Sequence, residues 1–120
     1  MSEEIQWVLE LNVHQGQQNN VRAFVADIVK TTQENEPGAL CYEYHLSGDG
    51  NRCVVLERYA DSTAALTHLE NFETLYADRF FGLFELAQFR VFGPASDELR
   101  NLLGGLGATF EERIGGFRKI

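Results

Sequence analysis

Between Glu36 and Phe72, tyrosine, histidine and glutamate side chains recur at spacings that could move protons. Glu57 falls in an alternating stretch, on the same side as Cys53, Val55 and Tyr59, and His68 falls in the helical pattern that follows. A carboxylate facing a partly apolar cavity has a raised pKa and can exchange protons. Histidine titrates near neutrality unaided, so the two are the candidate catalytic pair. The same residues would serve equally as a structural bridge between strand and helix. Tyr42, Tyr44 and Tyr59 could stack on an aromatic ligand while their hydroxyls bond its oxygens. Asn12 lies on the mixed face of an earlier alternating stretch, and if that face lines a cavity it can hold a phenol or carbonyl oxygen. His14, at the end of that stretch, is expected to face water. His45 shares a face with Glu43, but no third ligand at suitable spacing completes a metal site.

The elements that must position these residues follow from periodicity. From Ile5 to His14 the chain alternates, with Trp7, Leu9, Leu11 and Val13 on one face and Val8, Glu10, Asn12 and His14 on the other, which predicts a strand. Val21, Phe24, Val25, Ile28 and Val29 recur at helical spacing between Gly16 and Glu36, and Pro37-Gly38 stops that helix. Ala39–Leu46 and Arg52–Tyr59 read as two strands joined by a tight turn at Ser47–Asn51. Asp61 or Ser62 can cap the next helix, which carries Ala64, Ala65, Leu66, Leu69 and His68. Phe72–Phe84 reads as helical in part, and Glu85–Phe92 as a fourth strand ended by Gly93-Pro94. Ser96 is the expected cap of a helix over Asp97–Leu106, and the glycine-bearing tail to Ile120 reads as an extended arm on the sheet edge or on a partner subunit.

The order β-α-β-β-α-β is the ferredoxin-like, split βαβ arrangement, an α+β fold with an antiparallel sheet. At 120 residues one domain is expected, with its core over about residues 5–92 and a C-terminal extension over 93–120. Helices on one side would leave a second face carrying Val, Tyr, Phe and Cys. Pairing two sheets face to face across a two-fold axis would cover it, so a homodimer is expected.

Composition removes several function classes. The formal net charge is −8, and the ten Lys and Arg residues are scattered, so no phosphate-binding surface for nucleic acid is expected. No run approaches the roughly 18 apolar residues of a membrane span, and no signal peptide is visible, which makes the cytoplasm the expected location. Cys41 and Cys53 lack Cys-x-x-Cys spacing and read as small buried thiols, although the turn between their strands makes a bridge geometrically thinkable. Gly104-Gly105-Leu106-Gly107 ends a helix instead of opening one, so it is no phosphate loop and no nucleotide cofactor is expected. No Ser or Cys nucleophile stands beside a base.

Glu36-Pro37-Gly38 before an aromatic strand, the segment VVLERYAD at Val54–Asp61 and the helix ALTHLENF ending at Phe72 together resemble the antibiotic biosynthesis monooxygenase domain family. The resemblance covers roughly Ile5 to Phe92. It implies ferredoxin-like chains pairing as a dimeric α/β barrel, in a family that includes quinol monooxygenase-like proteins. It further implies oxidation of a small aromatic phenol or quinol by dioxygen without metal or flavin. Glu57, His68, Asn12 and a tyrosine would carry that chemistry. Two alternatives stay open: a non-catalytic ligand-binding dimer of the same fold, and a non-redox isomerase of a lactone or phosphorylated sugar.

Overall fold

The alternation of the first strand is realised as β1 (Ile5–Val13), in which Ile5, Trp7, Leu9, Leu11 and Val13 are all buried. The computed structural model describes residues 2–119. β1 pairs antiparallel with β3 (Arg52–Tyr59) on one side and β4 (Phe84–Phe92) on the other. β2 (Ala39–Leu46) continues the sheet beyond β3 through the expected hairpin, and β5 (Thr109–Glu111) adds a short parallel strand beyond β4. The strand order is therefore β2-β3-β1-β4-β5. The first four are the ferredoxin-like sheet, and the tail supplies the fifth at the sheet edge.

Helices α1 (Gln18–Asn35), α2 (Ser62–Leu75) and α3 (Ala77–Leu83) supply the buried side chains over one face. α1 buries Val21, Phe24, Ile28 and Thr32, a helical stripe set against the sheet. α4 (Asp97–Gly104) buries Leu99 and Leu103, with Ser96 capping it by accepting from the Leu99 N–H at 3.2 Å. It ends two residues short of the expected Leu106, where the chain turns through Gly107 at a φ of 86°.

Register decides which side chains the helices cover. Trp7 stands opposite Glu57 and Val91, and Glu57 opposite Tyr42, so Tyr42, Tyr44, Glu57 and Tyr59 all belong to the helix-covered face. The tyrosines expected on the open face are thus on the other one. The open face instead carries Gln6, Val8, Leu56, Arg58, Arg90 and Phe92, with Val8, Leu56 and Phe92 half-buried. Cys41 is half-buried and aligned with Arg58, whereas Cys53 is buried. Alternate pleats put the two thiols on opposite faces, which removes the disulfide.

Candidate functional site

Three local features bring the site residues together. Asp61 caps α2 through an acceptor contact to the Ala64 N–H at 2.8 Å, which fixes the phase in which Ala65 and His68 turn inward. Gly38 lets α2 approach β2 closely, since a Cβ there would lie 2.6 Å from the Ala64 Cβ. Glu36 is the C-cap of α1, its N–H bonded to the Thr32 carbonyl, so its side chain emerges where the helix stops.

The result is a chain of buried polar groups. Glu36 is 6% exposed, Glu57 5% and His68 3%. His68 Nδ1 lies 3.0 Å from Glu36 Oε1, while its Nε2 lies 3.5 Å from Glu57 Oε1. A carboxylate only accepts hydrogen bonds, so the shorter contact places a proton on Nδ1. Asn71 Nδ2 donates to Glu36 Oε2 at 3.2 Å, and the Tyr59 hydroxyl donates to Glu57 Oε1 at 2.5 Å. Beside them the Tyr42 and Tyr44 hydroxyls share a hydrogen bond of 2.9 Å, and the Tyr42 ring packs 5.0 Å from the imidazole.

Burial and charge act against each other here. Burial raises the Glu57 pKa above its ordinary 4.5, with the His68 charge and the Tyr59 hydrogen bond pulling it back. The Trp7 N–H also opposes the rise without reaching hydrogen-bond geometry, so it acts as a weak electrostatic contact only. For His68, burial acts downward, but the Glu36 hydrogen bond and the charges of Glu57 and Glu36 outweigh it and leave the pKa above 6.5. Desolvation first, and neighbouring charges after it, lift Tyr42, Tyr44 and Tyr59 well above 10.0, so these phenols stay protonated. The group therefore sets the imidazole between two carboxyl groups that favour its protonation, with protonated hydroxyls around it.

A cavity of about 330 Å³ opens onto this chain between α1 and α2. Its polar wall is Thr31, Thr32, Asn35, Glu36, His68 and Asn71, and its apolar wall is Ile28, Phe72, Leu75 and Tyr76. Of the residues expected from sequence, His68 lines the cavity, and Glu57 stands behind it. Tyr59 holds Glu57, while Tyr42 and Tyr44 flank His68 on the same sheet face. Asn12 is not brought to this group. It is exposed on the opposite face, its amide 3.5 Å from Glu85 Oε1, because period-2 alternation separates it from Trp7 and Leu11. Glu36 and Asn71 were not among the expected site residues. Their signal was a glutamate just before a helix-stopping Pro-Gly, and an asparagine three residues after His68 on the same helix face.

His45 and Glu43 do meet, at 3.2 Å, but both are exposed. Among the described residues no group of three or more His, Cys, Asp or Glu side chains could hold a metal ion. Among them, too, no helix is long and apolar enough to cross a membrane.

Solved structures share this architecture. MupZ from Pseudomonas fluorescens is 24% identical, with a TM-score of 0.87 over 98% of this chain and 96% of that one. SnoaB, a cofactor-independent oxygenase from Streptomyces nogalater, is 18% identical, with a TM-score of 0.66 over 79% of this chain and 96% of that one. At these identities the likeness is one of fold. No curated protein matches the sequence. The sequence profile of the antibiotic biosynthesis monooxygenase family matches residues 6–75, more than half of the 120 residues, and the chain belongs to that family.

Proposed function

We propose that the protein is a cofactor-independent monooxygenase acting on a small, uncharged aromatic phenol or quinol. The observation that carries this reading is the cavity wall: His68, held between Glu57 and Glu36, faces a space of ligand size together with Glu36. A carboxylate of this group can accept a substrate proton, and the imidazole beside it can steady the resulting anion in a dry, partly aromatic site. The substrate anion then reduces dioxygen. In the keto form of a phenol, a ring CH₂ becomes a carbonyl, one oxygen atom enters that carbonyl and the other leaves as water. All four electrons come from the substrate, so no further reductant is needed.

The lining narrows the substrate class. It contains no Lys or Arg, and Arg58 and Arg90 lie on the open face, which argues against a phosphorylated or carboxylate ligand. The working unit in this reading is a homodimer, because half-buried Val8, Leu56, Cys41 and Phe92 on the open face need cover.

A second reading, a non-redox isomerase, is favoured by the protonated Tyr59 beside Glu57, an acid next to a base. Oxygen uptake with a panel of quinols tests the first reading, which expects one dioxygen consumed per quinol. Solvent deuterium entering substrate with no oxygen consumed would select the isomerase. A ligand that raises the melting temperature while no reaction occurs would leave a binding module.

A further inference from the structure

We propose that Glu36 is the catalytic base, the carboxylate that meets the substrate hydroxyl, while Glu57 acts from behind His68. This rests on the acid–base reading above but assigns the proton to a different group from the one the sequence pointed to.

Glu36 lines this cavity beside His68 and Asn71, whereas Glu57 borders a different one of about 330 Å³, with Trp7, Leu56 and Arg58. A carboxylate offers about four acceptor positions. On Glu36, one is taken on Oε1 by His68 Nδ1 and one on Oε2 by Asn71, which leaves room for a substrate O–H. On Glu57, Oε1 faces Tyr59 and His68 instead. Asn71 carries a second N–H, which none of the hydrogen bonds among the described residues uses, and it also lines the cavity. That donor can hold the substrate oxygen as it becomes negative.

The charges balance through the step. The starting state of the step has Glu36 and Glu57 ionised and His68 protonated. The substrate O–H bond breaks, its proton bonds to a Glu36 oxygen, and its electron pair stays on the phenolate. The imidazolium then stands between the phenolate and Glu57, and total charge is unchanged. Glu57 keeps His68 charged at the moment when Glu36 has become neutral, and Tyr59 fixes the Glu57 oxygen that does so. The other groups against the imidazole, the rings of Tyr42 and Phe72, carry no charge.

An indicator phenol, 4-nitrophenol, bound without oxygen tests this, because its absorbance separates phenol from phenolate and the proton it loses can be followed in weakly buffered solution. At a pH where it is neutral in solution, the wild-type protein is expected to bind phenolate without releasing a proton, since Glu36 takes the proton up. Glu36→Gln is the neutral stand-in for protonated Glu36, and it should release a proton to solvent for each phenolate bound. Glu57→Gln should bind a smaller phenolate fraction and still retain the proton. Proton release by the wild type equal to that of Glu36→Gln overturns the assignment, as does proton retention by Glu36→Gln. A wild type that binds the indicator only as the neutral phenol overturns it too. Should Glu36→Gln fail to fold, the infrared difference spectrum decides: a carboxylic-acid carbonyl band that appears in the wild type on binding and shifts in Glu36→Asp supports the proposal, and no such shift overturns it. Proton uptake by Glu36 as expected, with no quinol consuming oxygen in the wild type, would sink the monooxygenase reading alone.

Discussion

The helix-covered face of the sheet has two halves made from the same strand alternation and filled with opposite chemistry. Over β1 and β4, Phe24, Phe80, Phe84 and Phe89 are buried, and Phe80 and Phe84 pack with ring centroids 5.0 Å apart. Over β2 and β3, Glu36, Glu57 and His68 are buried to nearly the same degree. Phe72 joins the halves, 5.1 Å from Phe80 and 6.4 Å from His68. The aromatic half gains from every ring it removes from water, about 1.5–3 kcal/mol each. The polar half must offset a desolvation cost of several kcal/mol per ion with contacts inside the group. One half supplies stability, and the other spends some of it on preorganised charge.

Substitutions should separate these roles. Phe84→Ala, in the aromatic half, is expected to cost about 3–5 kcal/mol of unfolding free energy, read by chemical denaturation. Its folded fraction should keep the turnover of the wild type. Glu57→Gln should do the reverse. It keeps the shape and an acceptor for Tyr59, so stability should change by less than about 1.5 kcal/mol. Turnover with a working quinol should fall about a hundredfold. A Glu57→Gln protein as unstable as Phe84→Ala, with unaltered turnover per folded molecule, would make the polar half structural and erase the division.

The next largest effect is on the pH dependence of stability. Both Glu57 and His68 have folded pKa values raised above their ordinary values of 4.5 and 6.5. The folded state therefore binds more protons than the unfolded state above those values. The stability contributed is complete below each ordinary value and lost as pH rises through the raised one. Thermal stability should thus fall as pH rises above the ordinary glutamate and histidine values, by no more than about 1.4 kcal/mol per pH unit for each proton. His68→Gln should flatten that slope, while Phe84→Ala should shift the whole curve and leave the slope as it was. A melting temperature that rises with pH over this range would reverse the sign assigned to the pair.

The aromatic half was legible because apolar periodicity is both its signal and its cause. Trp7, Leu9, Leu11, Phe24 and Ile28 announce their faces and lie there. The polar half was legible only by residue type. Glu57 and His68 stood out as titratable groups on predicted elements, and they do meet. Glu36 did not stand out, because a glutamate before Pro-Gly reads as the solvated end of a helix. Its burial comes from Gly38 and Ala64, which draw α2 against the start of β2, a packing fact with no period. Asn12 was placed correctly on its strand face, but the face turned out to be the open one. β1 and β3 both carry apolar residues on each side, so alternation alone left the covered side of the mixed face undecided.

The smallest expected effect lies at the rim of the aromatic half. Arg79 Nη1 reaches Asp27 Oδ2 at 2.6 Å and stacks its guanidinium 5.2 Å from the Phe24 ring centroid, tying α3 to α1. Arg79 and Asp27 are each 50% exposed, and water screens such a pair, leaving about 0–1 kcal/mol. Arg79→Ala should therefore lower stability by no more than this, with part of the loss surviving at high salt because the ring contact is less screened than the ion pair. Tyr76, at the α2–α3 junction, also belongs to the cavity wall and is held chiefly by its 2.7 Å bond to Thr31 Oγ1, against weaker contacts to Asp27 Oδ1 at 3.5 Å and to the Arg79 guanidinium 6.0 Å from its ring centroid. Ligand affinity should then be unchanged in Arg79→Ala. A substantial loss of affinity would mean that the two halves are coupled through α3, and that the aromatic half does more than hold the polar one in place.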